Sequence, residues 1–174
     1  MRIQAPETNE YAAAFESYVA RVRALDDPLA ALSAQRERVV ARLSALSDEQ
    51  AQFRYAPDKW SIKELVGHLS DGERIFAYRL LRIGRGDRTP LPGFEENDFA
   101  RAAHSDDRSF KDLLDEWAVV RDGTSSLARG LPETDWANQG TSNDAPMSAR
   151  ALLYIILGHT EHHLSVLGDR YGVR

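Results

Sequence analysis

Apolar residues recur every three or four positions through four separate stretches of this chain, and little of it alternates every second residue. That period constrains the chain to pack helices on helices. From Leu29 to Leu46 the stripe is Leu32, Val39, Leu43 and Leu46, with Arg36, Glu37, Arg38 and Arg42 at solvated positions. A second stripe follows Ser61 through Leu65, Leu69, Ile75, Phe76, Leu80 and Ile83, and Gly84 and Gly86 end it. The third runs from Ser109 through Phe110, Leu113, Leu114, Trp117, Val120 and Leu127 to Gly130. The last runs from Ser148 through Leu152, Ile155, Ile156, Val166 and Leu167 to about Arg170. A shorter stripe of Tyr11, Phe15, Tyr18, Val22 and Leu25 comes first and is interrupted by Pro28. Four such helices, each with one apolar face, predict an all-α four-helix bundle with long connecting loops.

The helix starts are written in local chemistry. Ser61 followed three residues later by Glu64 forms a capping box, Ser109 with Asp112 opens the third long helix, and Ser148 caps the last. Two polar connections, Ser47 to Trp60 and Leu131 to Met147, join helices, and a third, Asp87 to Arg108, holds the breakers Pro90, Pro92 and Gly93 with one helical turn near Phe94 to Ala102. A connection as long as the last is often functional in a compact domain. No repeat or linker divides the chain, so residues 1–174 are expected to form a single domain.

Composition excludes several function classes. A formal charge of -5 leaves no electrostatic footprint for nucleic acid. The absence of cysteine removes disulfides, thiolate ligands and a cysteine nucleophile, so any transition-metal site must be built from imidazole or carboxylate. The longest apolar stretch, Ala149 to Gly158, is interrupted by Arg150 and too short to span a membrane, and the N-terminus has no basic start followed by an apolar run. A cytoplasmic protein is the expectation.

Histidine is therefore the residue to follow. His159 and His163 stand four residues apart on the last helix, one above the other with Cβ atoms roughly 6 Å apart, where two imidazoles can share one ion. On a wheel of about 100° per residue they bracket the apolar face, so both point into the core. His68, 91 positions before His159, falls in the second turn of the second long helix, at the edge of its apolar face, with Gly72 leaving space beside it. It supplies a third nitrogen if that helix packs against the last, and an open fourth position then remains for water or substrate. The competing reading is three core histidines bonded to backbone or carboxylate. His162 falls on the flank, as an edge contact, and His104 is a solvated loop residue among Asp106, Asp107 and Arg108. The order His159-Thr160-Glu161-His162-His163 lacks the His-Glu-x-x-His arrangement of zincin proteases, and Glu161 points away from His159. Asp71, three residues after His68, is the candidate catalytic carboxylate, able to orient that imidazole or accept a proton. A helix-surface pair with a neighbouring arginine is its bland alternative. Trp60, Trp117 and Trp136 are read as core residues or pocket walls.

Trp60-Ser61-Ile62-Lys63-Glu64 leading to Gly67-His68-Leu69, then Leu91-Pro92-Gly93-Phe94, then Gly158 to Leu164 resemble the DinB-like family of metal-dependent enzymes over nearly the whole chain. The resemblance implies a four-helix bundle of unusual connection order, often a homodimer. It also implies a divalent metal, zinc or nickel, held by His68, His159 and His163. The wider superfamily uses small thiols, so the expected activity is transfer of a low-molecular-weight thiol to an electrophile on a small-molecule substrate. The alternatives are a metal-dependent hydrolase and a non-catalytic metal-binding protein of the stress response. With no cysteine in the chain, any thiol must arrive as a cosubstrate.

Overall fold

The computed structural model describes residues 3–173. Seven α-helices form: α1 (Glu16–Val22), α2 (Pro28–Leu43), α3 (Asp48–Ala51), α4 (Ile62–Gly84), α5 (Glu96–Ala102), α6 (Phe110–Arg129) and α7 (Ala149–Tyr171). A two-stranded hairpin, β1 (Gln139–Ser142) and β2 (Ala145–Ser148), precedes α7. The caps are where local chemistry puts them. Ser61 accepts from the Glu64 backbone N–H while the Glu64 carboxylate accepts from the Ser61 N–H, and Ser109 and Ser148 accept from the backbone of Asp112 and Ala151. Pro28 does more than interrupt a stripe. It is the first residue of α2, where its missing N–H costs nothing, and Asp27 caps the helix.

The four long helices form a closed ring of neighbours, α2 against α6, α6 against α4, α4 against α7 and α7 against α2. Consecutive helices α2 and α4 are therefore diagonal, as are α6 and α7. The bundle is the fold expected, with additions inside its loops. α1 lies against α7, and the hairpin occupies most of the stretch from Leu131 to Met147 that the sequence presents as a polar connection. Its turn residues Asn143 and Asp144 both take positive φ, 50° and 58°, as a tight two-residue hairpin turn requires.

α7 departs from a one-faced helix. Every residue from Ala151 to Thr160 is buried, so nearly three turns of this helix are apolar almost all round and it serves as the central helix. Gly158 permits its closest contact, because a Cβ there would lie 2.1 Å from the Tyr18 carbonyl oxygen of α1. The apolar core divides into two clusters. One is built on Leu80, Trp136, Leu152 and Ile156, the other on Leu43, Leu65, Trp117 and Leu167.

Candidate metal centre

His68 comes from α4, and His159 and His163 from α7. The packing of α4 on α7 brings the three together: His159 Nε2 is 2.9 Å from His68 Nε2 and 3.2 Å from His163 Nε2, and one ligand atom from each ring lies within 4.8 Å of the others. All three rings are buried. Burial holds His68 at about 4, and drives His159 and His163 well below the ordinary histidine value, helped by the mutual repulsion of the rings. The trio is therefore neutral at pH 7.

Neutral imidazoles so placed cannot satisfy one another. Each carries a single ring proton, three Nε2 atoms face one point, and the buried Nδ1 of His163 has no partner among the described residues. A divalent ion accepts all three lone pairs at once. Bonds of about 2.05 Å at tetrahedral angles put ligand nitrogens roughly 3.3 Å apart, close to the spacings found. The residues thus fit a three-nitrogen metal site. The group of converging ligand atoms has three members among the described residues, whereas a closed structural site needs four.

The surroundings fix the rings. Trp60 tilts against His68 with ring centres 4.6 Å apart, and Tyr18 and Phe76 meet His159 edge-on at 5.4 and 5.5 Å. Gly72 leaves space, as the sequence suggests, but the ring that takes it is that of His159: a Cβ on Gly72 would stand 3.0 Å from His159 Cε1. Of the three tryptophans, Trp117 and Trp136 are core and Trp60 is the site's wall. His162 is half-buried against Tyr18 and His163, and His104 is an exposed residue at positive φ ahead of a short turn. Glu161 turns away to Gln35 and Arg38.

Asp71 is half-buried beside Arg74, 3.6 Å away, and Arg74 is shared with Glu116. Burial raises the Asp71 pKa, against the pull of Arg74. No hydrogen bond joins Asp71 to His68 among the described residues.

Two clefts open on the centre. One, of about 320 Å³, reaches His68 and His159 between Tyr18, Phe76 and Phe94. The other, of about 260 Å³, reaches His163 beside Trp60 and Tyr171. Glu96 and Asn97 at the start of α5 line both, so α5 is the partition between them. A larger groove, lined by residues of α1, α2 and α7, includes none of the histidines.

Sequence reasoning missed a second buried polar centre. Arg121 of α6 donates to both oxygens of Glu73 on α4 at 2.5 and 2.8 Å, to Gln35 of α2 at 2.5 Å and to Thr160 of α7 at 2.9 Å. One residue from each long helix meets there, and Thr160 follows His159 directly. The only sequence signal is a charged residue on the side of α6 that carries Trp117 and Leu114.

No curated protein matches the sequence. Among solved structures, one described as YfiT from Bacillus subtilis, a probable metal-dependent hydrolase with an unusual four-helix bundle topology, superposes with a TM-score of 0.73 at 15% identity. The match covers 98% of this chain and 95% of that one. The mycothiol-dependent maleylpyruvate isomerase superposes with a TM-score of 0.68 at 14% identity, over 81% of this chain and 59% of the larger one. At these identities the likeness is one of fold. A family model described as the DinB superfamily matches residues 31–167, which include His68, His159 and His163. By that match the chain belongs to the DinB superfamily.

Proposed function

We propose that the protein is a divalent-metal-dependent enzyme acting on a small molecule, with His68, His159 and His163 as ligands and zinc or nickel as the ion. The observation that carries this reading is the convergence of three buried, neutral Nε2 atoms on a point that two clefts reach. A three-nitrogen ion with an open position supplies acidity to a water or thiol at neutral pH. The chain contributes the positioning: Trp60, Tyr18 and Phe76 pack on the imidazoles and hold their orientation. Asp71 enters as a proton carrier working through solvent, since its carboxylate is turned to Arg74.

Transfer of a low-molecular-weight thiol to an electrophile is our preferred reaction, supported by the mycothiol dependence of one structural relative and compatible with a cysteine-free chain. Hydrolysis is the second reading, supported by the description of the other. Elemental analysis after equal exposure to zinc and nickel tests the centre. Near-stoichiometric metal is expected in the native protein and a sharp loss in His68→Ala, His159→Ala and His163→Ala, each keeping its helical circular dichroism. A native protein that takes up no metal overturns the proposal. Thiol consumption against acid release, measured on the loaded enzyme, separates the two reactions. Asp71→Asn is expected to keep its metal while shifting the pH profile of turnover; an unchanged profile assigns Asp71 to the Arg74 pair alone.

A further inference from the structure

Two arginines are buried among the described residues, Arg79 and Arg121, and only one has a counter-ion. Arg121 has Glu73. Arg79 is 4% exposed, and no carboxylate lies within ion-pair distance of it among the described residues. Its single hydrogen bond there runs from Nη2 to the Pro92 carbonyl at 2.7 Å, which uses one of five N–H donors. Burial lowers its pKa, but a guanidinium stays charged in a protein. Its remaining donors are not sealed in the core, so this cation, with one neutral acceptor and no counter-ion among the described residues, needs a group in the space beside it to complete its shell.

The position of Arg79 indicates what that is. Its side chain lines the cleft that reaches His68 and His159. Side chains on a helix lean towards its N-terminus, so Arg79, three turns beyond His68 on α4, reaches back towards the centre. Its Cζ stands 5.9 Å from the Phe76 ring centre, and that ring stands 5.5 Å from His159, so the guanidinium and the imidazole both pack on the same phenyl ring. The loop that supplies the Pro92 acceptor is itself fixed. Leu91 pairs with Thr141 and Asn143 of the hairpin, and a Cβ on Gly93 would meet the Asn143 side chain at 2.2 Å. The guanidinium is thus pre-placed, with a planar fork suited to two parallel hydrogen bonds.

We infer that Arg79 is the anion-recognition residue of the cleft, and that the substrate carries a carboxylate at its far end from the histidine centre, joined to the reacting group by an apolar body that lies along Phe76. This rests on the proposed enzyme reading of the same cleft. The exposed Glu95 and Glu96 at the mouth disfavour polyanions such as polyphosphates, which leaves a single carboxylate as the best match.

The test is calorimetric titration of the full chain with benzoate, 3-phenylpropionate and 5-phenylpentanoate, each beside its uncharged amide. It is run on zinc-loaded and chelator-stripped native protein and on Arg79→Gln and Arg79→Lys. At least one acid is expected to bind about tenfold more tightly than its amide, in both metal states. Arg79→Gln should abolish that preference with metal uptake unchanged, and Arg79→Lys should retain part of it. If Arg79→Gln does not fold, the acid preference of the stripped native protein and its reduction in Arg79→Lys carry the decision. No acid preferred over its amide, or a preference that survives in Arg79→Gln, overturns the inference. A preference that disappears with the metal but ignores Arg79 also overturns it, by placing the carboxylate on the ion, and leaves the metal reading standing. A preference that depends on Arg79 in a protein that takes up no metal does the reverse.

Discussion

The bundle holds two buried polar centres within one residue of each other, at Thr160 and His159, and they are built on opposite plans. Around Arg121 every charge is matched: the guanidinium has both oxygens of Glu73, the amide oxygen of Gln35 and the hydroxyl of Thr160, all drawn from different helices. Around His159 the matching is incomplete. Three neutral rings present lone pairs to a shared point, and a ring nitrogen of His163 is buried without a partner. Both centres carry the desolvation cost of polar groups in a core. The first recovers it within the fold, and fixes the ring of four helices about one guanidinium. The second does not recover it within the fold, and on the proposed reading a bound ion does so.

The comparison can be broken most forcefully at the closed centre. Arg121→Met leaves Glu73 as an uncompensated buried charge and is expected to cost about 3–5 kcal/mol in urea unfolding. The paired change of Arg121→Met with Glu73→Leu is expected to recover most of that loss, since removing both charges also removes the desolvation cost. A single variant that loses less than about 1 kcal/mol would show that Glu73 is not committed to Arg121, and the two centres would not differ as described. The next effect tests how the open centre is held. Gly158→Ala forces a methyl group against the Tyr18 carbonyl and is expected to cost about 2 kcal/mol by overpacking, with α1 displaced. Because Tyr18 packs on the His159 ring, the same variant should bind metal more weakly than the native protein, measured by competition with a chelator.

The open centre was legible in the sequence and the closed one was not, for a physical reason. His159 and His163 declare themselves by a spacing that any helix converts into a shared face, and the caps Ser61, Ser109 and Ser148 act on groups three residues away. Arg121 and Glu73 are 48 positions apart, and each sits in a helix with ordinary surface charges nearby. Only the ring of helices decides that these two turn inward. The hairpin escaped for a related reason. Its strands are four residues each with no apolar alternation, and the one local mark is Asn143-Asp144 in the turn. The space beside Gly72 was legible, but which ring fills it depended on the packing of α4 on α7.

A smaller effect is expected at the far end of α7, where Glu10 repeats the closed plan. Burial works to raise its pKa, but hydrogen bonds from Arg150 and Ser148 win and lower it below the ordinary 4.5. A carboxylate with a lowered folded pKa stabilises in full above the unfolded value, and the contribution is lost as pH falls through the folded one. Stability should therefore drop by about 1.5 kcal/mol as pH falls below the ordinary carboxyl range, and Glu10→Gln should remove that part of the profile. A profile identical in the two proteins would show that the Arg150 pair does not hold the N-terminal segment on the α7 cap.

The smallest expected effect has the opposite sign and separates the two plans most sharply. His163 contributes a buried nitrogen without a partner among the described residues and a second that meets only the other histidine rings, so in metal-free protein its ring is a liability. Leucine has a similar volume and no polar atom. His163→Leu is expected to leave the chelator-stripped protein as stable as before, or more stable by up to about 1 kcal/mol, because an unsatisfied polar group is exchanged for an apolar one. Metal uptake should fall sharply in the same variant. At Arg121 a polar-to-apolar change costs several kcal/mol, so one chemical operation would give opposite outcomes at the two centres. A loss of more than about 2 kcal/mol on His163→Leu in the absence of metal would mean the imidazole is bonded into the core, and the three histidines would then be a closed network like the one around Arg121.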